Sequence, residues 1–562
     1  MKIKRAYLPN DLKIESWDSI EKYFIDLQSR KIKSADHLKK WLKEKSELEA
    51  VLEEELAWRY IKMNCNTEDE ALSTHFEYYI SEIEPKITEM DFELNKILNN
   101  NPFKQELNGE AYEILFRAVK NEIDLFRKEN IPIQAEVQKE EQEYGRIAAG
   151  MTINYNNEEI TLQKAANYLK ETNREVREQV FELMWERRIK DKDALNALLG
   201  KLIVKRQNIA KNTGYENFRD YMFKKLGRFD YSVDDCYQFH ESVKTEVVPL
   251  IEKIQKARKL KLGYKSLKPW DLDVDEDLKP PLKPFNEAKE LVDKTIRCFK
   301  KVKPEYASYI DLMQKQKYLD LDSRKGKAPG GFNYQLHESN VPFIFMNATG
   351  NLRDVETMVH EGGHAIHAFL SKDLELVSFK ETPSEIAELA SMSMELISME
   401  HWDEFFENKE DLRRAKRSQL LGTIEVLPWV AMVDKFQHLL YLEPDLSVAK
   451  REEMWQKTAN EFSGSAVDWS AHENYFNNLW QKQLHIFEVP FYYIEYGFAQ
   501  LGAIAVWRNY KKHPEKALKA YENALKLGYT KSIPEIYKTA GIEFNFSKKY
   551  ISELMKFVQD EI

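Results

Sequence analysis

The chain has 562 residues, of which 43 % are hydrophobic and 32 % are charged, and its formal net charge is −10. This composition is typical of a globular protein with a sizeable core, and the low counts of 19 Gly and 18 Pro favour long helices over sheets. The negative charge argues against nucleic acid and anionic membranes as partners, because both attract positive surfaces.

The sequence has no clear membrane-spanning segment, signal peptide or disulfide pattern. No stretch approaches the ~18 consecutive apolar residues of a membrane span, and the first residues lack the apolar run of a signal peptide. Cys65, Cys236 and Cys298 lie far apart and no Cys-x-x-Cys is present, which argues against a disulfide framework and against a cysteine-based zinc site. We therefore expect a cytoplasmic protein that neither spans nor binds a membrane. The oligomeric state is left open.

The first third of the chain is predicted to be helical, with one interruption. Apolar residues recur at helical spacing from about residue 18 to 128, for example at Trp41, Leu48 and Tyr60, and we interpret residues 1–136 as a wall of antiparallel helices. Two alternating runs flank Asn156-Asn157 within residues 151–162, which predicts a small hairpin. A loop rich in Pro and Asp, residues 267–284, is predicted to link two helical lobes.

A glycine-dense loop occupies residues 326–332 and contains Gly330 and Gly331. It lacks the Gly-Lys-Ser/Thr ending and the following helix of a phosphate-binding loop, which argues against nucleotide binding.

A short apolar run at residues 341–347 predicts a strand after this loop. Because Pro342 cannot donate to a sheet, it places the strand at a sheet edge, where an extended peptide can add by main-chain hydrogen bonds. We therefore assign Phe343 and Phe345, with Gly330 and Gly331, to peptide binding. A buried strand without a substrate role is the alternative.

The segment His360-Glu361-Gly362-Gly363-His364 carries the strongest chemical signal. A helix is predicted over residues 352–370, capped by Asn351 with Asp354 at its third position. Imidazoles four residues apart share a helix face and can bind one zinc ion, with Glu361 beside the ion to act on a water molecule.

Two adjacent glycines at the centre of this helix need an explanation. Gly362 and Gly363 each cost about 1 kcal/mol relative to Ala in a helix interior. A purely structural helix rarely accepts this cost, so we expect another backbone or a substrate to approach closely here.

A catalytic zinc site needs a third protein ligand. The metzincin scheme fails, because its Gly and His positions hold His367 and Leu370. The remaining candidate for the third ligand is a carboxylate on a following helix. Thr382 is predicted to cap that helix, with Pro383 at its first position and Glu385 in a capping box. This capping role leaves Glu388 as the favoured ligand, with Glu385 and Glu381 as alternatives.

Several further residues are candidates for supporting or catalytic roles. His367 lies two turns from His360, which is too far to share an ion comfortably, so we expect it to support the site or pack. Tyr493 and Tyr496 are predicted on one helical face, downstream of His485, and buried tyrosyl hydroxyls need partners. The register also allows Tyr492 in place of Tyr493.

Residues 360–367, followed by residues 387–395, resemble the thimet oligopeptidase/oligoendopeptidase F family of zinc peptidases, in particular its oligoendopeptidase and Pz-peptidase branch. The resemblance covers most of the chain from about residue 137 onward. It implies that Glu388 is the third ligand, that Glu395 orients a ligating imidazole, and that His485 with the nearby tyrosines contacts the substrate carbonyl.

The resemblance also implies the fold and the activity. We expect a mainly α, two-lobed zincin-type peptidase with a deep substrate channel and a small β-sheet beside the active-site helix, its catalytic region spanning residues 137–562. One Zn²⁺ held by His360, His364 and Glu388 would activate a water molecule, and Glu361 would take its proton. The expected substrates are short unfolded peptides. A dipeptidyl carboxypeptidase and an inert peptide-binding scaffold are the alternatives, and cobalt or manganese could replace zinc.

Overall fold

The computed structural model describes residues 4–562 and divides them into two compact units, each assembled from separate stretches of chain. Within the described residues, the first unit comprises residues 4–124, Lys283–Arg417 and Gly502–Phe544. The second comprises Leu125–Leu282, Ser418–Leu501 and Asn545–Ile562. Both are built mainly of helices, with two small sheets in the described part, so the predicted mainly α class is confirmed.

The helices account for most of residues 4–562, and none of them is long and apolar enough to cross a membrane. The first twelve are α1 Glu21–Ser29, α2 Ala35–Cys65, α3 Glu70–Tyr78, α4 Glu84–Asn100, α5 Glu110–Leu125, α6 Asn130–Ala149, α7 Leu162–Ala166, α8 Arg174–Lys190, α9 Lys192–Asn212, α10 Phe218–Lys225, α11 Val233–Ser242 and α12 Val248–Leu262.

The second half of the chain contributes the helices that carry the candidate site residues. They are α13 Ala288–Val302, α14 Pro304–Lys315, α15 Leu352–Ser371, α16 Val377–Lys380, α17 Ser384–Met399, α18 Lys409–Leu442, α19 Val448–Phe462, α20 Glu473–Phe476, α21 Leu484–Glu488, α22 Ile494–Lys512, α23 Pro514–Leu525, α24 Ile533–Thr539 and α25 Lys548–Glu561.

Helix α2 organises the N-terminal part of the first unit. The Ser34 hydroxyl caps it by accepting a hydrogen bond from the backbone N–H of His37. Trp41 and Leu48, two of the predicted apolar positions, are 1 % exposed and belong to one hydrophobic cluster with residues from α1 and α4. The helical stripe read from the sequence therefore faces a core.

The hairpin predicted at residues 151–162 is confirmed in the second unit. Strands β1 (Thr152–Tyr155) and β2 (Glu158–Thr161) pair in antiparallel fashion, with Thr152 opposite Thr161. Asn156 and Asn157 have φ angles of 52° and 63°. A two-residue hairpin turn requires this left-handed conformation, which Asn tolerates.

A three-stranded sheet in the first unit corrects one prediction. Its strands are β3 (Leu319–Asp322), β4 (Phe332–Tyr334) and β5 (Phe343–Ala348), in the order β3-β5-β4. The prediction that Pro342 places the strand at a sheet edge is wrong, since β5 is central, parallel to β3 and antiparallel to β4. Pro342 precedes the strand, so its missing N–H interrupts no ladder.

A buried ion-pair network joins α8 to the segment after α12 in the second unit. Asp271 is fully buried and accepts hydrogen bonds from Arg177 Nη2 at 2.9 Å and Arg174 Nη2 at 2.7 Å. Arg177 is also fully buried. Removal of one partner therefore leaves a charge without compensation in a region that water does not reach.

Replacing Asp271 by Asn is expected to destabilise the protein by about 3–5 kcal/mol, because the Arg177 guanidinium keeps its charge and loses its counterion. Urea unfolding measures the change in free energy. The matched control is Glu453→Gln, which removes an exposed pair with Lys450 in the same unit and should cost less than about 1 kcal/mol. Equal effects of the two substitutions would contradict the assignment.

Candidate metal centre and active site

Helix α15 carries the two candidate imidazole ligands and begins as predicted. The Asn351 side chain accepts a hydrogen bond from the backbone N–H of Asp354, and the Asp354 carboxylate accepts one from the N–H of Asn351. This capping box satisfies N–H groups at the helix start that have no partner within the helix. The helix runs from Leu352 to Ser371, so His360 and His364 lie near its middle.

Glu388 of helix α17 meets both imidazoles. Its Oε2 atom lies 3.4 Å from Nε2 of His360 and 3.9 Å from Nε2 of His364. The two rings are 4.9 Å apart at 84° to each other. One donor atom from each of the three residues lies within 4.8 Å of the others. Two nitrogens and one carboxylate oxygen form a donor set that suits zinc.

The start of α17 differs slightly from the prediction. The helix begins at Ser384, with Pro383 as its cap residue and no side-chain cap, so the expected capping by Thr382 and Glu385 is wrong. Because the Pro383 side chain has no oxygen that could accept a hydrogen bond, the first N–H groups of the helix have no side-chain cap. The shift is one residue, and Glu388 remains one turn inside.

The charges of the three donors are coupled. Burial favours neutral His360, but hydrogen bonds to Glu388 and Glu395 outweigh it and raise the pKa of His360 well above its usual value. Burial lowers the pKa of His364 to about 4. Burial would raise the pKa of Glu388, yet the two imidazoles hold it below its ordinary value. At neutral pH the site therefore contains an ionised carboxylate beside a neutral imidazole.

Glu361 lies between the two candidate ligands in sequence and is 7 % exposed. Its Oε2 atom is buried and has no hydrogen-bond partner among residues 4–562. Burial raises the pKa of the Glu361 carboxyl to about 7, with the carboxylates of Glu388 and Glu395 adding to the shift. A buried, unsatisfied carboxyl with a pKa near neutrality has the properties of a general base.

Glu395 and His367 occupy different positions relative to the donors. His360 Nδ1 and Glu395 Oε1 are 2.6 Å apart, so the Nδ1–H donates to the carboxylate and Nε2 is directed to Glu388. His367 is 6 % exposed, its Nε2 has no hydrogen-bond partner in the described chain, and burial lowers its pKa to about 3.

The two glycines of α15 are explained by close approach. A methyl group at Gly363 would lie 2.6 Å from Cα of Ser391 and 3.0 Å from the carbonyl oxygen of Ala390, both in α17. At Gly362 it would lie 2.7 Å from the ring of Phe299 in α13. The approaching group at Gly363 is therefore the backbone of α17, and the approach brings Glu388 to the imidazoles.

Replacing Gly363 by Ala is expected to lower the thermal midpoint and to separate Glu388 from the imidazoles. In an unobstructed helix interior the same change stabilises by about 0.5–1 kcal/mol, whereas overpacking costs about 1–3 kcal/mol. The control is Gly422→Ala in α18, where the added methyl group meets nothing within 4 Å. Thermal unfolding of both variants measures the effect. An unchanged or raised midpoint for Gly363→Ala would contradict this explanation.

Residues that the sequence did not indicate hold α17 in place. The hydroxyl of Tyr521, in α23, donates to the carbonyl oxygen of Ala390 at 2.7 Å, and that of Tyr537, in α24, donates to the carbonyl oxygen of Glu385 at 3.0 Å. Ser391 Oγ donates to Glu388 Oε2 at 3.1 Å. Only the contact of Ser391 with Glu388 could have been predicted from the sequence, since residues three apart are neighbours on a helix.

His485 belongs to the second unit and lies in α21. A hydrogen-bond chain fixes its ring. Trp429 Nε1–H donates to Gln483 Oε1 at 2.8 Å, and the Gln483 amide N–H donates to His485 Nδ1 at 2.5 Å. Because the indole can only donate, the amide orientation follows, and the neutral ring of His485 carries its proton on Nε2. Neither Trp429 nor Gln483 was indicated by the sequence.

The predicted aromatic cluster around His485 is present. Its ring centroid lies 4.6 Å from that of Tyr493, 5.8 Å from that of Tyr496 and 6.1 Å from that of Tyr492. Tyr493 immediately precedes α22, which begins at Ile494, and its ring centroid lies 5.5 Å from that of Tyr496. Phe491, with a φ of 69°, turns the chain before this helix.

The four residues assigned to peptide binding occupy two environments. The side chains of Phe343 and Phe345 are 4 % and 0 % exposed and lie in a hydrophobic cluster, which excludes them from side-chain contact with a substrate. That part of the prediction is corrected. Gly330 and Gly331 immediately precede β4, an edge strand of the sheet. The Asn333 amide of β4 donates to the backbone oxygen of Glu361 at 3.1 Å, so β4 borders α15.

Proteins of known function and structure resemble this chain. It is 22 % identical to the oligopeptidase PepF of Bacillus subtilis over 72 % of the chain, and 22 % identical to the group B oligopeptidase PepB of Streptococcus agalactiae over 56 %. These matches span 60 % and 52 % of the relatives' own lengths. A structure of Pz peptidase A with an inhibitor shares the fold, with a TM-score of 0.90, 24 % identity and 97 % of each chain covered.

Two family profiles match the sequence itself. Residues 10–126 match the peptidase M3 N-terminal domain, and residues 167–556 match peptidase family M3. The second match includes α15, α17 and His485, and it covers more than half of the 562 residues. The chain therefore belongs to peptidase family M3.

Proposed function

We propose that this protein is a metal-dependent endopeptidase that hydrolyses short unfolded peptides, with zinc as its metal. The observation that carries the proposal is the convergence of His360, His364 and Glu388, together with the buried, unpartnered Oε2 of Glu361, whose carboxyl interacts electrostatically with His360 and Glu388. Membership of peptidase family M3 supports the assignment to peptide hydrolysis. The curated relatives named oligopeptidases support the choice of short substrates.

His360, His364 and Glu388 would hold the metal. A bound zinc ion supplies Lewis acidity that polarises a peptide carbonyl and makes water a stronger acid. Glu395 fixes the tautomer of His360 by accepting a hydrogen bond from its Nδ1–H, which directs Nε2 to the donor set. Ser391 restrains Glu388 through the hydrogen bond to its Oε2.

Glu361 acts as general base and then as general acid. It accepts a proton from the water molecule that attacks the peptide carbonyl and delivers it to the nitrogen of the departing amine. A pKa of about 7 suits both directions of transfer near neutral pH. Burial keeps the carboxylate from being stabilised by bulk water, which raises its basicity.

His485, Tyr493 and Tyr496 are proposed donors to the carbonyl oxygen as it gains charge, with Tyr492 as the alternative tyrosine. The Trp429–Gln483 chain supports this role for His485 because it keeps the proton on Nε2. Each such donor typically contributes about 2.7–4 kcal/mol to stabilisation of the transition state.

The peptide is proposed to add to the free side of β4. This strand lies at a sheet edge, borders α15 and follows Gly330-Gly331. Main-chain hydrogen bonds to an edge strand bind a peptide independently of its side chains.

A mixed peptide library tests the proposal. Products are identified by mass spectrometry, with and without a chelator, and half of the peptides are amidated at the C-terminus. We expect internal cleavage of free and amidated peptides alike, abolished by the chelator. Cleavage restricted to the second bond from a free C-terminus would indicate a dipeptidyl carboxypeptidase. Chelator-insensitive cleavage, or none, would contradict the metal-dependent assignment.

Replacing Glu395 by Gln is expected to lower metal affinity or kcat by about 10–100-fold, since the carboxylate that holds His360 is lost while all three ligands remain. Metal titration and peptide turnover measure the two quantities. The control is Glu400→Gln at the end of α17, which removes contacts to Trp507 and Lys416 and none to the donors. Equal behaviour of the two variants would remove Glu395 from this role.

A further inference from the structure

A second group of metal-binding side chains lies within the second unit, on α11 and α18. Cys236 and His240 are four residues apart on α11, and Asp434 and His438 are four residues apart on α18. Residues at this spacing share one helix face, so each helix presents two donors. All four residues are buried, with exposures of 0 %, 4 %, 0 % and 1 % in that order.

The donor atoms of the two helices converge. One ligand atom each from Cys236, Asp434 and His438 lies within 4.8 Å of the other two, as in the group formed by His360, His364 and Glu388. His438 Nε2 is 3.1 Å from Asp434 Oδ2, and His240 Nε2 is 2.8 Å from the same oxygen. A thiol, a carboxylate and one imidazole therefore converge on one point in the core, and the imidazole of His240 contacts the carboxylate.

Hydrogen bonding does not account for this arrangement. Nδ1 and Nε2 of His438 and Oδ1 of Asp434 are buried and have no hydrogen-bond partner among residues 4–562. Despite its 3.1 Å separation, the His438–Asp434 contact lacks hydrogen-bond geometry. A buried polar group without a hydrogen-bond partner is unfavourable, and more so when it is charged. Three such atoms close together indicate that the site binds a ligand.

The surroundings identify the kind of ligand. The ring of His438 packs against Tyr237, Phe223 and Phe491 at centroid distances of 5.1, 6.0 and 5.4 Å. The ion-pair partners of Asp434 in residues 4–562 are His240 and His438. A compact cation that binds sulfur, nitrogen and oxygen together fits this closed, aromatic-lined site.

We propose that Cys236, Asp434 and His438 bind a second Zn²⁺ ion, one that stabilises the fold and takes no part in peptide cleavage. His240 orients the carboxylate by hydrogen bonding to Oδ2, so that Oδ1 serves as the ligand. Thiolate and imidazole donors favour zinc over calcium or magnesium, and burial of all three residues keeps a peptide substrate away from the ion. The ion joins α11 to α18 across about two hundred residues of sequence.

Metal content tests the stoichiometry. The full-length protein is produced in zinc-supplemented medium, because a closed site must be loaded as the chain folds, and is then freed of loosely bound metal. We expect two zinc ions per chain for the wild type and one for Cys236→Ser. The matched control, Cys298→Ser, also changes a fully buried cysteine and should retain two. Equal zinc content in the wild type and Cys236→Ser would overturn the proposal.

Cobalt substitution tests the ligand itself. In protein produced with cobalt in place of zinc, a Cys236 ligand gives a thiolate-to-cobalt charge-transfer band in the near ultraviolet. The chain has only three cysteines, so the band should vanish in Cys236→Ser and persist in Cys65→Ser and Cys298→Ser. Persistence of the band in Cys236→Ser, or its absence from the wild type, would overturn the proposal.

A change in folding must be separated from a change in ligation. His438→Gln removes a different ligand and keeps Cys236, so it should also lose one zinc ion. Circular dichroism reports whether each variant is folded, and thermal unfolding should show a lower midpoint for both ligand variants than for Cys298→Ser. Two zinc ions in folded His438→Gln would overturn the assignment of that residue.

Discussion

Peptide hydrolysis is expected to fall by about 10²–10⁴-fold when Glu361 is replaced by Gln, because the amide cannot accept the proton of the attacking water. The change preserves the shape of the side chain, and none of the proposed ligands is altered, so metal content should stay at the wild-type value. The loss should appear in kcat rather than in KM, since the proton moves only as the transition state forms.

Glu356→Gln is a matched control for this substitution. It changes a mostly buried glutamate of the same helix, one that pairs with Arg353 and is not among the three donors. We expect near-normal turnover from it. Undiminished turnover in Glu361→Gln would remove Glu361 from its role, and loss of metal from that variant would mean that Glu361 is a ligand.

Loss of the candidate catalytic metal is the expected result of replacing Glu388 by Gln. The amide oxygen is uncharged and a poorer ligand, so affinity should fall by more than the about 10–100-fold typical of residues that only support a ligand. Metal content should drop by one equivalent, and peptide turnover should be lost with it. Added zinc should restore turnover only at concentrations far above those that suffice for the wild type.

Glu385→Gln supplies the comparison for Glu388, since Glu385 was the main alternative ligand read from the sequence. It lies one turn earlier in α17, is 2 % exposed and contributes no atom to the donor group. We expect its metal content to be normal. Loss of metal from Glu385→Gln, with retention in Glu388→Gln, would reverse the assignment.

Local structure was predictable where short-range chemistry decides it. Asn351 as the cap and Asp354 at the third position predicted the start of α15, and in the structure these two residues form a capping box. The hairpin at Asn156-Asn157 followed from the tolerance of Asn for positive φ. In these places every determinant lies within a few residues, so no information about the rest of the chain is needed.

Predictions were wrong or incomplete where contacts between segments far apart in the sequence determine the structure. Pro342 suggested an edge strand, but β3 supplies a partner on the second side of β5. The unusual glycine pair predicted a close approach, yet the sequence did not identify α17 as the approaching element. The compact units join stretches hundreds of residues apart, which no linear division of the chain reproduces. The role of the Trp429–Gln483 pair likewise depends on a contact across 54 residues.

The central claim is that one cation is held jointly by His360, His364 and Glu388. The most direct test is an anomalous-difference electron-density map from a crystal of the purified, catalytically active protein, recorded at the zinc absorption edge. We predict a peak bounded by Nε2 of His360, Nε2 of His364 and Oε2 of Glu388. A map without density at that position, or with Glu388 directed away from the two imidazoles, would contradict the account.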